Sequence, residues 1–204
     1  MRYGLLAAAA IAVAAPSAAF AQDTYDTTTA AEVDGAQAPD GTSAFGIEPY
    51  FGVLGGYEFF DSEDTKAGIP RFPNDNLEGS LVQGVAGINV PLGPVFVGAE
   101  GNAAKGVSGD IDWQYGAAGR VGFRAGDSGL FYAKAGYQWV NFDRLGEDSR
   151  DFGDVTYGIG MEVGPKDIGL GGITGNSGVR LRLEANTYGD FNSFRPMAGL
   201  IAHF

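Results

Sequence analysis

The chain has no cysteine and a single histidine, His203, in 204 residues. No disulfide scaffold, thiolate chemistry or metal-ligating constellation can be built from that set, although an exported chain could have carried disulfides. Basic residues are also scarce, 13 Lys and Arg against 25 Asp and Glu, and the formal charge is −12. That excess argues against nucleic acid and bare anionic surfaces as partners. No apolar run is long enough for a good spanning helix. The longest, Leu5 through Ala15, is short and made largely of small residues. If the chain crosses a membrane it must do so as a closed barrel.

What is present falls into three parts. Arg2 gives a basic start, Leu5 through Ala15 an apolar stretch, and Ala19-Phe20-Ala21 a small-residue cleavage site. Residues 1–21 are therefore expected to be a cleaved signal peptide, with the mature chain starting at Gln22. Residues 22–44 hold Asp23, Asp26, Glu32, Asp34 and Asp40, no base and no apolar period. A solvated, disordered periplasmic tail is expected there. From Phe45 to Phe204 the chain is rich in glycine and aromatics and breaks into segments of about ten residues with alternating polarity, the pattern of tilted membrane strands.

Eight segments alternate. Phe45, Ile47, Phe51, Val53, Tyr57 and Phe59 share one face, opposed by Glu48, Tyr50, Gly52 and Glu58. Val82 to Val90 opposes Gln83, Gly87 and Asn89, and Val95, Val97 and Ala99 oppose Phe96, Gly98, Glu100 and Asn102. Trp113, Tyr115, Ala117, Val121 and Phe123 oppose Gln114, Arg120 and Arg124. Phe131 to Trp139 opposes Tyr132, Lys134, Gly136 and Gln138. Val155 to Val163 opposes Thr156, Gly158, Gly160 and Glu162, and Val179, Leu181, Leu183 and Ala185 oppose Arg180, Arg182, Glu184 and Asn186. The last segment runs to Phe204 with Ala202, Leu200, Ala198 and Pro196 on its face. His203, Ile201, Gly199, Met197 and Arg195 form the other register.

No apolar face so defined carries a charge, as lipid requires, because Arg or Lys at the bilayer midplane costs about 2–4 kcal/mol. The polar faces carry Glu48, Glu58, Glu100, Glu162 and Glu184 against Arg120, Arg124, Lys134, Arg180 and Arg182. An eight-stranded barrel has an interior filled by side chains, and charges buried there need partners. These ten residues are thus the expected lumen ion-pair network. A soluble carrier barrel would reverse the faces, apolar inward around a lipid. Aromatics near strand ends, such as Tyr57, Phe59, Trp113, Tyr115, Tyr137 and Trp139, favour lipid outside. Connections from Asp61 to Glu78, Lys105 to Asp110, Asp143 to Gly153 and Gly189 to Phe194 are expected on one rim. The tight Pro91-Leu92-Gly93-Pro94 and Ala125 to Gly129 are expected on the other, and Pro165 to Gly178 is long for a turn there.

Three segments and the ending carry a family resemblance: Phe131-Tyr132-Ala133-Lys134-Ala135-Gly136-Tyr137, Tyr157-Gly158-Ile159-Gly160-Met161-Glu162, Arg182-Leu183-Glu184-Ala185-Asn186 and terminal Phe204. With them, residues 45–204 resemble the small outer-membrane barrels, the OmpA transmembrane domain, OmpX and the opacity-protein-like porin family. The resemblance implies an all-β, eight-stranded, antiparallel up-and-down transmembrane barrel in the outer membrane of a Gram-negative bacterium. It also implies that Phe204 is an assembly signal read by the barrel-assembly machinery. A carboxy-terminal peptidoglycan-binding domain, as in full-length OmpA, is absent from the pattern.

Acyl-hydrolase chemistry would need Ser and His in concert, and His203 has no such setting in the sequence. Glu162 with Glu184 is better read as ion pairing than as an acid/base pair. Gly158-Ile159-Gly160 with Gly164 is not a dinucleotide fingerprint, since no helix follows. The acids Asp61, Glu63 and Asp64, and Glu147, Asp148, Asp151 and Asp154, are read as solvated surface rather than as divalent-cation ligands. No catalysis and no cofactor are expected. The leading expectation is a structural or surface-interaction barrel whose loops meet lipopolysaccharide, other cells or a surface ligand. A small-solute pore and a soluble periplasmic lipid carrier are the alternatives.

Overall fold

A computed structural model describes residues 47–61, 68–70, 76–125, 129–146, 150–164, 178–189 and 191–204. The expected signal peptide and acidic tail, Phe45, the acids Glu63, Asp64, Glu147 and Asp148, and nearly all of the 165–178 connection lie outside these residues.

Alternating polarity produces strands β1 (Glu48–Phe60), β2 (Glu78–Leu92), β3 (Val95–Gly109), β4 (Ile111–Ala125), β5 (Gly129–Phe142), β6 (Phe152–Val163), β7 (Val179–Tyr188) and β8 (Ser193–His203). Each pairs antiparallel with its sequence neighbour, and β8 returns to β1 to close a barrel. One rim carries the β1 start and the β8 end and is called here the terminal rim. Starting at Glu48, register partners run through Asn89, Gly98, Arg120, Lys134, Gly158 and Asn186 to Arg195. Arg195 then reaches β1 not at Glu48 but at Glu58, 3.6 Å away and ten residues further along. This stagger tilts the strands by about 35–45° to the barrel axis.

The faces are inside-out relative to a soluble barrel. Ile47, Phe51, Val53, Val121, Phe123, Ile159 and Leu200 are exposed on the outer wall, whereas Glu100, Glu162, Arg182 and Gln114 are buried within. A wall with apolar side chains outward and charges inward is stable in lipid and not in water. The carrier arrangement, apolar face inward, is therefore overturned. The aromatics gather in bands at strand ends. Tyr115 stacks on Trp139 at 5.3 Å toward the loop-bearing rim, and Phe51 on Phe204 and Phe123 on Phe131 toward the terminal rim.

The structure corrects one connection. Lys105 to Asp110 reads as a loop, but β3 continues to Gly109 and β4 begins at Ile111. Gly109 makes this tight turn possible. It holds φ +91°, and a Cβ there would lie 2.2 Å from the Glu78 carbonyl oxygen. The longer strand brings a charge onto the outer wall after all. Lys105 is exposed there, paired with Asp112 and set 4.8 Å over the Trp113 ring, a placement suited to the membrane boundary.

Closure at β8 carries an interruption. Its ladder with β1 breaks between Gly56↔Met197 and Phe59↔Phe194. Pro196 sits in the gap and has no N–H to give. Inside the wall, side chains bridge the same gap, because Glu58 takes Ser193 Oγ at 2.7 Å and Arg195 at 3.6 Å.

Inward glycines make room for the large lumen side chains. A Cβ on Gly87 would sit 2.4 Å from Tyr50 Oη, and one on Gly160 2.4 Å from the Tyr132 ring and hydroxyl. Gly160→Leu should push Tyr132 out of its place. Overpacking of this kind costs about 1–3 kcal/mol, so the urea midpoint of refolded protein should fall. An unchanged midpoint would show that Tyr132 is free to move.

Candidate functional site

The lumen is layered. Nearest the terminal rim, Glu48 of β1 pairs with Arg124 of β4, and Phe96, Leu130 and Tyr132 pack together. Arg180 is buried low on β7. Above this lies the densest layer, in which three carboxylates meet three cations. Arg182 donates to Glu162 Oε1 at 2.7 Å and to Glu100 Oε2 at 2.5 Å. Arg120 donates to the same two oxygens, at 3.0 and 3.5 Å. Lys134 Nζ lies 2.5 Å from Glu184 and 3.1 Å from Glu100. The layer is formally neutral.

The carboxylate lone pairs left over are taken by neutral donors. Tyr50 Oη donates to Glu100 at 2.9 Å, Tyr132 Oη to Glu184 at 2.6 Å and Asn186 Nδ2 to Glu184 at 2.8 Å. His203 Nε2 lies 2.6 Å from Glu162 Oε2, and its ring stacks on Tyr50. The aromatic faces take up the cations' remaining surface. The Arg120 guanidinium is 3.9 Å from the Tyr132 ring centre and 4.9 Å from that of Tyr50. In a low-dielectric interior such contacts are worth more than at a surface, up to about 2 kcal/mol.

A second polar layer lies toward the loop-bearing rim. Arg195 donates to Gln138 Oε1 at 2.9 Å and also to Gln114, which in turn donates to Glu58. Gln138 donates to Gln114 at 2.8 Å. Above this the lumen turns apolar. Phe60, Leu81, Ile111, Phe142, Phe152 and Tyr188 are buried together, and Tyr188 Oη donates to the Phe152 carbonyl at 2.7 Å. Ion pairs thus fill the middle and a hydrophobic plug closes the loop end.

All ten residues of the sequence-derived network are buried inside the wall. The structure joins six of them, Glu100, Arg120, Lys134, Glu162, Arg182 and Glu184, into one cluster. Glu48 and Arg124 form a separate pair. Glu58 takes none of the expected cations and faces Arg195 instead. Arg195, Gln114, Gln138 and His203 are members that the sequence network omits. Their signal was parity, for all four lie on inward registers. His203 is a ligand of Glu162 rather than a bare strand-end group.

On the rim, Asp151 accepts from Tyr115 Oη at 2.7 Å and Asn141 Nδ2 at 2.9 Å, so its carboxylate is engaged by the wall. Asp154 accepts the Val155 N–H. Among the described residues no group of acids is arranged to hold a metal ion.

Removing one cation from the central layer strands carboxylates in a dry interior. Arg182→Leu should destabilise the fold by about 3–5 kcal/mol, read as a drop in urea midpoint. Arg182→Leu and Arg120→Ala share Glu162 and Glu100 and should combine non-additively. Arg182→Leu and Arg195→Leu share no partner and should add within about 0.5 kcal/mol. Additivity in the first pair would refute the shared cluster.

No family model matches the chain, and no curated protein matches it. Solved structures do. The amino-terminal β-barrel domain of OprF from Pseudomonas aeruginosa is similar at 12% identity, over 78% of this chain and 97% of that one, with a TM-score of 0.50. Neisserial surface protein A is similar at 15% identity, over 78% and 99%, with a TM-score of 0.47. Ail from Yersinia pestis, solved with the heparin analogue sucrose octasulfate, is similar at 12% identity, over 78% and 99%, with a TM-score of 0.42. With its closed eight-stranded wall, apolar outside and charged within, this chain has the fold of the small outer-membrane β-barrels.

Proposed function

We propose that the protein is an integral outer-membrane barrel with a structural or surface-interaction role of the opacity-protein kind, and that it carries out no catalysis. The observation behind this is the lumen. A central layer of ion pairs, a second layer around Arg195 and an apolar plug at the loop end leave its interior occupied by its own side chains. Such a barrel acts through what it displays and through its stiffness, not through what passes along it. The Ser and His available inside do not support hydrolysis, because Ser193 and His203 stand at opposite ends of β8. Export by a cleaved signal peptide, loops facing the outside and contact with lipopolysaccharide belong to the same proposal.

A pore reading has one observation in its favour. Gln83 and Asn89 are buried on the inner face of β2, and neither side chain has a hydrogen-bond partner among the described residues. Unpaired buried amides of this kind cost about 1–3 kcal/mol each unless water reaches them. Planar-bilayer recordings on refolded protein separate the two readings. The structural reading expects a silent membrane; reproducible conductance steps would replace it with the pore.

Phe204 is proposed as the assembly signal. It stacks on Phe51 at 5.3 Å, and its N–H donates to the Pro49 carbonyl at 3.0 Å, so it also holds the β1–β8 seam. Phe204→Ala should lower the amount of folded protein recovered from outer membranes, measured by heat-dependent gel mobility. Unassisted refolding into vesicles should fall less. Equal losses in both would assign Phe204 to the seam alone.

A further inference from the structure

The apolar plug at the loop end has one member of a different kind. Phe60, Phe142, Phe152 and Tyr188 come from β1, β5, β6 and β7, and their rings meet at centre distances between 5.2 and 6.0 Å. Ile69 belongs to no strand. It lies in the connection between β1 and β2, yet it is only 5% exposed and is part of the same buried cluster. Gly68 and Pro70 on either side of it are exposed. The connection thus puts one aliphatic side chain into the mouth of the barrel and leaves the flanking residues at the surface.

The same segment is caught on the far side. In a ring of eight strands the β5–β6 connection stands opposite the β1–β2 connection. Arg150 of the former donates from Nη2 to the Gly68 carbonyl of the latter at 3.5 Å, so the segment crosses the mouth. Gly68 holds φ +78°, a conformation that favours glycine. Arg150 itself is well anchored. Its guanidinium lies 4.9 Å from the Phe152 ring centre. The next residue, Asp151, is tied to the wall by Tyr115 and Asn141. One end of the contact is therefore part of the wall. The other reaches it through a buried side chain and a long hydrogen bond, and connections open more readily than strand ladders.

We propose that the β1–β2 connection is a releasable strap across the mouth, with Ile69 as its stopper and Arg150 as its latch. Removing the Ile69 side chain from water favours the docked state. Docked, the strap joins the two connections into one surface and covers the rings of Phe60, Phe142 and Phe152. Released, it uncovers an apolar cup with the Arg150 donor at its lip and parts the two connections. What the loop-bearing rim displays is thereby switched between two forms. The switch does not depend on whether the lumen conducts. The layers below, around Arg195 and around Arg182, are built on strand residues and stay in place in either state.

The chain has no cysteine, so single introduced cysteines report on each position without background. Full-length protein is refolded into micelles, and the rate of reaction with a bulky water-soluble maleimide is measured. Ile69→Cys should react at least tenfold more slowly than Pro70→Cys. Ile111→Cys, buried in the cup, should also react slowly but run to completion. Adding Ile69→Ser should speed it at least tenfold, and adding Arg150→Ala a few-fold. Ile201→Cys, buried toward the terminal rim, should stay unmodified in every background. Ile69→Cys reacting as fast as Pro70→Cys would show that the strap is not docked. An Ile111→Cys rate unmoved by Ile69→Ser and Arg150→Ala would show that the wall itself seals the cup. Ile111→Cys as unreactive as Ile201→Cys would show that the strap is never released. Labelling of Ile201→Cys in step with Ile111→Cys would show that the whole barrel loosens. Each of these four results would overturn the proposal.

Discussion

Charge pairing in a dry, narrow interior is the constraint on which the rest of this structure depends. An ion taken from water into a low-dielectric medium pays several kcal/mol even after relaxation. Here the central layer buries Glu100, Glu162, Glu184, Arg120, Arg182 and Lys134 together. They can remain charged only because each carboxylate meets a cation from another strand and because tyrosines, Asn186 and His203 occupy the remaining lone pairs. The layer therefore requires the strands to be in their native register. A slip of one residue would turn the ionic side chains to the lipid. Buried charge adds little to stability compared with well-packed apolar groups, but it excludes alternative registers, which a smooth wall of alternating residues would otherwise tolerate.

The glycines and the aromatics follow from the same need. Tyr50 and Tyr132 give both guanidiniums, and Phe96 that of Arg120, a polarisable surface inside the barrel. Rings of that size fit inside a narrow barrel only where the facing strand has no Cβ, hence Gly87 opposite Tyr50 and Gly160 opposite Tyr132. Outside, the requirement is reversed, and any side chain acceptable to lipid is allowed. That freedom leaves small residues on some strands and large ones on others, and grooves in the outer wall are its result.

How much of this was legible in the sequence follows the range of the interactions. Which face each residue occupies is a local property with period two, and Phe51, Val121, Ile159, Glu100 and Arg182 could be assigned from their immediate neighbours. The run from Gly106 to Gly109 looked like a loop because glycine and serine mark turns; in the structure the ladder with β2 carries β3 through most of it. Height within the lumen was not legible at all. It depends on the ten-residue stagger, which is a property of the whole ring. So Glu58 could be placed inside but not opposite Arg195. The apolar plug could not be seen either, since Phe142 and Phe152, at the facing ends of β5 and β6, meet Phe60 from the end of β1, far away in sequence.

The seam between β1 and β8 shows how the two kinds of information combine. By local rules Pro196 is a poor residue for a strand buried in lipid, because it removes a ladder hydrogen bond where no water can replace it. Yet the strand is held at both ends of the gap. Toward the loop-bearing rim, Arg195 and Ser193 tie it to Glu58 inside the wall. Toward the terminal rim, His203 reaches across to Glu162 of β6 while Phe204 stacks outside on Phe51. β8 is thus secured by side chains that cross the lumen as well as by its ladders with β1 and β7. The closing strand depends on a lumen that the other strands must first assemble, and closure can become stable only when the register of the whole barrel is correct.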